Sequence, residues 1–285
     1  MAVMSEKELY GCRRLLQLLS EDDLLALSDT VTNRLIRVTS SREAIEAIIT
    51  YSQSPEELLK RKKVHRDVIF KYLAAENAAP SPNSEKHQLV KRTLELWSSY
   101  SEKTVSVSNA RCTEKNGDGL GVLTALGKQF CQWFFQLLNS QNPQAAQPVE
   151  HWGPQHFWSD AKMLLVLYTQ VHQKEEFLGA ELVSQRLFAL VSEERLVFCP
   201  NLEQTGLKCV SSPHGLVLVA VAGTIHREDN CLAIFEQVFG LIRDPLKASR
   251  WKIKHVHLKI MGEIGKDTLP AVTYDSKELF ELFTL

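Results

Sequence analysis

The stretch GLVLVAVAGTIH, residues 215–226, is the most apolar run in this chain. A strand with one face in water alternates apolar and polar residues, whereas this run is apolar at nearly every position. We therefore predict a central strand of a curved antiparallel sheet, with helices on its concave face and a further layer or a partner chain on its outer face. Gly223 marks the expected bend, because a glycine inside a strand tolerates a bulge or kink.

The segments around this run predict an α+β domain over 122–285. A helix is expected from residue 122 to Asn142-Pro143, where the proline ends it. Further elements are predicted at FWSDAKMLLVLYT (157–169), FLGAELVSQRLFALV (177–191, helical), RLVFCP (195–200), CLAIFEQVFGLI (231–242) and WKIKHVHLKI (251–260). Because the last strands are joined by connections short enough for hairpins, the sheet is expected to be a meander.

The N-terminal part predicts a separate all-helical module over 1–77. Ser20, either Ser40 or Ser41, and Ser54 each precede a helical pattern, and Pro55 suits a first helical turn. Residues 78–121 are rich in turn formers and charges, so we predict a flexible linker there. Within it, HQLVKRTLELWSSY (87–100) is expected to form one isolated amphipathic helix.

Composition narrows the class of protein. The 285 residues are 44% hydrophobic and 24% charged, with a net charge of -1. This composition is typical of a globular protein and not of a protein that covers nucleic acid or a membrane surface through its charge. No apolar segment is long enough to cross a bilayer and no cleavable leader is visible, so an intracellular, nuclear or cytoplasmic protein is expected. The six cysteines are scattered without CxxC spacing, which favours reduced core thiols over a metal site or disulfides. No cofactor is expected.

Several motifs, in this order, resemble the cone-shaped fold of the nuclear transport factor 2-like family. They are GKQFCQWFFQLLN (127–139), FLGAELVSQRL (177–187), LVLVAVAGTI (216–225), FEQVFGLI (235–242) and WKIKHVHLKIM (251–261). That fold hosts isomerases and dehydratases as well as non-catalytic binding proteins, and non-catalytic members usually pair through the convex sheet surface. The resemblance therefore implies a fold and leaves the activity open.

The whole chain is also similar to a vertebrate protein family whose human member is named as an open reading frame on chromosome three. The segments that carry this similarity include TVTNRL (30–35), KVHRDVIFKYLA (63–74), WGPQHFW (152–158) and GLKCVSSPHGL (206–216). That family is loosely linked to apoptosis, so the resemblance implies a role in its regulation.

A catalytic version of the cone needs a general base and a proton donor that face its interior. The candidates are Asp160, Glu236, His255 and His257. Asp160 shares a strand face with Lys162, Glu236 is expected to point away from the core, and the two histidines suit a wet sheet face better than a metal pair. No catalytic residue is assigned, and a non-catalytic protein-interaction or adaptor protein is preferred.

Two sets of residues are candidates for binding. Those expected to line a pocket are Phe130, Trp133, Phe134, Phe235 and Phe239. Those expected to form an interface with a protein partner or a second copy are Val217, Val219, Val221, Ile234 and Val238. The first set would serve the alternative of a small-molecule-binding or isomerase-like protein, and the second set the adaptor.

A third alternative is contact with nucleic acid through the N-terminal module. Residues 19–49 loosely resemble the helix, loop, helix pattern of SAP-type modules, and residues 60–66 concentrate basic side chains. No aromatic residue interleaves that run for base stacking, so it is expected to be a solvated helix face.

Overall fold

The structure is a computed structural model. It describes residues 4–78, 84–99, 119–145, 151–168, 172–212, 214–228, 230–246, 250–262 and 269–283. The chain divides into two compact units, of which the first comprises Met1–Cys112 and Pro245–Ala248 and the second comprises Thr113–Asp244 and Ser249–Leu285.

The first unit is all-helical in its described residues. Its helices are α1 (Glu6–Leu16), α2 (Glu21–Val31), α3 (Ser41–Tyr51), α4 (Pro55–Lys60), α5 (Arg66–Ala75) and α6 (Lys86–Ser99). Ser20, Ser40 and Ser54 each accept a hydrogen bond from a backbone N–H three residues on, so all three predicted helix starts are confirmed.

Helix α6 is packed inside the first unit, where the sequence predicted an isolated helix within a linker. It contacts α1, α4 and α5, and its Leu89 and Trp97 are buried. The Trp97 indole N–H donates to the Tyr72 hydroxyl at 2.9 Å, and a Cβ at Gly11 would collide with the Trp97 ring. The apolar stripe of α6 therefore packs against α1, α4 and α5. The polar composition of the surrounding sequence gave no indication of this packing. Residues 100–118, in the rest of the predicted linker, lie outside the described residues.

The second unit has a seven-stranded sheet. Its strands are β1 (Phe157–Tyr168), β2 (His172–Leu178), β3 (Val197–Pro200), β4 (Leu207–Ser211), β5 (Val217–Arg227), β6 (Asn230–Arg243) and β7 (Trp251–Met261). Its helices are α7 (Gly119–Asn139), α8 (Ala180–Ser192) and α9 (Ser276–Glu281), with a 3₁₀ turn at Pro154–His156. Strands β2 and β4 and helix α9 were not predicted.

The predicted α+β class is confirmed, but the sheet is mixed and not antiparallel throughout. The strand order is β2-β1-β7-β6-β5-β3, with β4 also paired to β5. Strands β1 and β7 pair in parallel, and the other pairings are antiparallel. A parallel pair needs a long crossover, and the chain from β2 to β6 supplies it.

The sheet has an inner face toward α7 and α8 and an outer face on the opposite side. Along β6 the inner face carries Phe235, Gln237 and Phe239, and the outer face carries Glu236 and Val238. The aromatic ring of Phe239 contacts that of Phe134 on α7 with centroids 4.6 Å apart. The inner core thus rests on aromatic contacts between α7 and the sheet.

The outer face is crossed by residues 269–283, which we call the C-terminal strap. The Val272 N–H donates to the Thr205 carbonyl at 3.0 Å, and the Thr273 N–H and hydroxyl donate to the two carboxylate oxygens of Glu236 at 2.6 and 2.9 Å. Helix α9 of the strap contacts β5, and its Leu279 is fully buried. The further layer predicted over β5 is therefore the chain's own C-terminal segment.

Candidate functional site

The five predicted interface residues do not form an exposed patch. Val217, Val219 and Val221 belong to the inner core and face the helices. The expectation that these three residues contact a partner is therefore wrong. Val238 does face outward, but it is fully buried, and Ile234 is half-buried. Since β5 is apolar on both faces, its sequence did not reveal which alternate set lies inside.

The five predicted pocket residues divide into two groups. Phe134, Phe235 and Phe239 are fully buried in the core, so they pack the domain and do not line a cavity. Phe130 and Trp133, on the exposed side of α7, line a cleft of about 460 Å³. Helix α7 places both because residues three apart project from the same side of a helix.

We call this cleft the aromatic cleft. The other residues that line it are Leu126, Gln129, His156, Leu241, Arg250 and Trp251. The residues that line it contact neighbouring rings. The ring centroids of Phe130 and Phe239 are 5.0 Å apart, and those of Trp133 and His156 are 5.1 Å apart. The Arg243 guanidinium lies over the Trp251 ring, 4.9 Å from its centroid.

The rim of the aromatic cleft is basic. Arg250 is exposed there, and none of the described residues that line the cleft is acidic. Apolar ring surface beside a guanidinium suits an apolar side chain that neighbours a carboxylate. Trp251, Arg250 and His156 were not predicted as site residues. The aromatic and basic character of residues 250–251 was an advance signal for the first two.

The candidate acid Asp160 is engaged in an ion pair. Its Oδ1 accepts a hydrogen bond from the Lys254 ammonium at 2.6 Å, and Lys254 is itself buried. A carboxylate already bound to an ammonium is a poor general base, because it must break that contact to accept a proton.

Glu236 and the two histidines lie beneath the C-terminal strap, which corrects the expectation of a wet sheet face. Glu236 points away from the inner core, as predicted, but it is 2% exposed and accepts both bonds from Thr273. Burial, reinforced by neighbouring lysines, lowers the pKa of His255 and of His257 to about 4. Both imidazoles are therefore neutral at physiological pH.

Two of the buried cysteines have thiols that burial makes unreactive. Burial raises the pKa of Cys12 to about 12 and that of Cys209 to about 11, which keeps both thiols protonated. Cys112 lies outside the described residues. Within the described ranges, no group of three or more His, Cys, Asp or Glu side chains could hold a metal ion.

The basic run at residues 60–66 is largely neutralised by carboxylates. Lys60 pairs with Glu56 at 2.6 Å, and the guanidinium of Arg61 pairs with Glu57 at 2.6 Å. Lys63 likewise pairs with Asp23 at 3.1 Å. These pairs add little to stability at the surface, but they reduce the positive potential that a phosphate backbone would meet.

A second cavity, of about 590 Å³, lies in the first unit. Several of its polar groups already have partners in the protein: the Trp97 indole N–H donates to the Tyr72 hydroxyl, and Arg14 pairs with Glu76. A ligand would have to compete with those contacts, whereas the aromatic cleft offers ring surface and an exposed cation directly.

Comparison with known families covers most of the chain. Residues 4–99 match the DUF4518 family N-terminal domain, and residues 124–270 match the DUF4518 C-terminal domain. The C3orf38 homolog of Mus musculus is 46% identical over 295 residues, which span 98% of this chain and 85% of the mouse protein. That of Rattus norvegicus is 46% identical over 99% of this chain and 86% of the rat protein. The predicted relationship to a vertebrate family is confirmed.

Two solved structures resemble the chain at low identity. Yeast UBP3-associated protein BRE5 is 14% identical, with 47% of this chain and 93% of that chain covered and a TM-score of 0.35. Nuclear transport factor 2 from Cryptosporidium parvum is 18% identical, with 52% and 98% covered and a TM-score of 0.35. Among the described residues, no helix is long and apolar enough to span a membrane.

Proposed function

The chain belongs to the DUF4518 family, and from that premise we propose that it is a non-catalytic protein-interaction protein. Its C-terminal domain binds a short peptide segment of a partner protein in the aromatic cleft. The observation that carries this proposal is the cleft itself, where the half-buried rings of Phe130, Trp133 and Trp251 meet the exposed Arg250.

The cleft favours one kind of peptide. Burial of a phenylalanine or leucine side chain against the rings contributes about 1.5 to 3 kcal/mol, and a neighbouring carboxylate would form a charge-assisted hydrogen bond to Arg250. The partner segment therefore carries an aromatic or leucine residue within one or two positions of an Asp or Glu. Tryptophan and arginine are the residue types that most often dominate binding energy at such contacts.

The enzyme alternative lacks support from the candidate groups. Asp160 is held by Lys254, and Glu236 is held by Thr273 under the strap. Neither carboxylate belongs to the aromatic cleft. If the protein were an isomerase or dehydratase, Asp160→Asn would abolish turnover of its substrate while partner binding stayed intact.

The test is affinity purification of the full chain from cells, followed by mass spectrometry, with matched variants. Trp133→Ala and Arg250→Glu should each lose the same partner, while Leu182→Ala, an exposed substitution on α8, should retain it. A peptide from that partner, with its aromatic or leucine residue near an acid, should then bind the purified chain and fail to bind the two cleft variants. A partner set that is identical in all four proteins would refute the proposal.

The nucleic-acid alternative predicts a different result. Fluorescence anisotropy with single- and double-stranded probes near physiological salt should show no sub-micromolar binding, because Lys60, Arg61 and Lys63 are paired with carboxylates. Tight binding that reversal of those three charges abolishes would favour this alternative instead.

The biology of the complex is part of the same proposal. Regulation of apoptosis in the nucleus or cytoplasm would follow if the recovered partner is an apoptotic protein and the cleft variants change cell survival. Limited proteolysis should cut first within residues 100–118, which would show that the helical module and the C-terminal domain fold separately.

A further inference from the structure

The outer face of the sheet, opposite the aromatic cleft, holds a segment of polypeptide in the manner of a receptor. Its side chains bind main-chain atoms of the C-terminal strap. The Asn201 amide donates to the Pro270 carbonyl at 2.8 Å, and the Lys208 ammonium donates to the Tyr274 carbonyl at 3.1 Å. Receptor side chains that bind the backbone of an extended segment hold it with little dependence on its sequence.

Sequence preference comes from the side chains of the strap. Thr273 donates twice to the buried Glu236 carboxylate. The Tyr274 ring lies 6.3 Å from the ring of His257 and 6.0 Å from the Lys259 ammonium. Together, Glu236, His257 and Lys259 form a subsite for a hydroxyl residue followed by an aromatic residue.

The second half of the strap is a short helix that caps itself. The Asp275 carboxylate accepts hydrogen bonds from two backbone N–H groups of α9, and the Asp275 N–H donates to the Glu278 carboxylate at 2.7 Å. This helix buries Leu279 completely and is followed by Phe283, whose ring lies 5.0 Å from that of His255. The second half of the strap is thus a helical turn capped by Asp275, with apolar contacts from Leu279 and Phe283, which follow at intervals of four residues.

The strap is shallowly held. Ala271, Thr273 and residues 275–278 are exposed, and Leu279 is the one fully buried side chain among the described residues 269–283. A contact of this size binds weakly between separate molecules, but attachment to β7 gives the strap an effective concentration in the millimolar range. The strap therefore stays bound to the outer face because it belongs to the same chain, and a competing segment can displace it.

We propose that the outer face is a peptide-binding site, that residues 269–283 are its resident ligand, and that it accepts a segment of the same pattern from another protein when the strap lifts. The pattern is a threonine or serine, an aromatic residue, an acid-capped helical turn, and then leucine and phenylalanine spaced four residues apart. This inference does not depend on the aromatic cleft, which lies on the other side of the sheet.

The test uses a fluorescein-labelled synthetic peptide of residues 269–285 and three full-length chains. Thr273→Glu places a second carboxylate against Glu236 and should lift the strap, whereas Ala271→Glu adds the same charge two residues earlier, at an exposed position. We expect the labelled peptide to bind the Thr273→Glu chain with micromolar affinity, and the wild-type and Ala271→Glu chains at least tenfold more weakly. A peptide that itself carries Thr273→Glu should bind none of them.

Two outcomes would overturn the proposal: a folded Thr273→Glu chain that does not bind the peptide, or a wild-type chain that binds it equally well. If Thr273→Glu does not fold, hydrogen exchange on the wild-type chain decides. Faster exchange of the bonded amides of Val272 and Thr273 than of those in β5 and β6 supports a strap that lifts. Exchange at the same rate as β5 and β6 means that the strap is a fixed part of the domain, which contradicts the proposal.

Discussion

Gly223→Ala tests whether β5 is packed as tightly against its neighbours as the structure shows. A Cβ at Gly223 would lie 2.6 and 2.8 Å from two ring carbons of Phe235 and would also collide with the Cys199 carbonyl oxygen of β3. Phe235 cannot swing aside, because it is fully buried with the rings of Phe135 and Phe198 at 5.5 and 5.3 Å. The added methyl must therefore separate β3 from β5 or displace a core ring.

The expected loss is about 2 to 3 kcal/mol of unfolding free energy, the upper part of the usual range for an overpacked core. For a domain of this size, that corresponds to a fall in Tm of about 4 to 12 °C. Tryptophan emission during thermal and urea unfolding is a suitable probe, since four of the five tryptophans, Trp133, Trp152, Trp158 and Trp251, lie in the second unit.

Gly121→Ala is the matched control. It makes the same change on α7, where a Cβ would have no atom within 4 Å, so alanine should stabilise the helix by up to about 1 kcal/mol. The two substitutions reduce the freedom of the unfolded chain equally, so their opposite signs isolate the packing effect. A Gly223→Ala chain within about 0.5 kcal/mol of the parent would refute the reasoning.

Three further results are expected. Trp133→Ala should cost only about 1 to 2 kcal/mol, because the ring is half-buried, and should abolish binding of the partner peptide in a titration. Gln237→Leu should raise the urea midpoint by the equivalent of about 1 to 2 kcal/mol, because this side chain is 1% exposed and neither amide atom bonds to a described protein group; a lower midpoint would contradict this. Burial lowers the pKa of His255 and of His257 to about 4, so both side chains take up a proton on unfolding between pH 4 and 6.5. The free energy of unfolding should therefore be highest above pH 6.5 and fall by up to about 1.4 kcal/mol per pH unit for each histidine as the pH drops toward 4. Melts from pH 7 to 4.5 should show this slope, and it should flatten when both are replaced by Gln.

Local signals predicted where several of the N-terminal helices begin. A capping serine accepts a hydrogen bond from the backbone N–H three residues later, which is a contact within one helical turn. Ser20 and Ser54 could therefore be identified without any tertiary information, and the remaining cap could be narrowed to Ser40 or Ser41. Helix α6 carries an apolar stripe that the sequence also shows, but the burial of this stripe depends on Tyr72 and Gly11, which are distant in sequence.

The candidate site was predicted only in part. Phe130 and Trp133 follow from the helical spacing of α7, but the cleft exists because folding brings His156 and Trp251 against them from other parts of the chain. Nothing local in the sequence connects these elements.

The apolar character of both faces of β5 was determined by the sequence alone, and it required a cover on each side. Only the tertiary structure decided that Val219 faces the helices, and that the outer cover is the chain's own strap, bound through Thr273 to Glu236. Alternation of apolar and polar residues shows which face of a strand is buried only when the two faces differ in polarity. The sequence of the fifteen-residue strap, in turn, does not indicate which distant surface it will pack against.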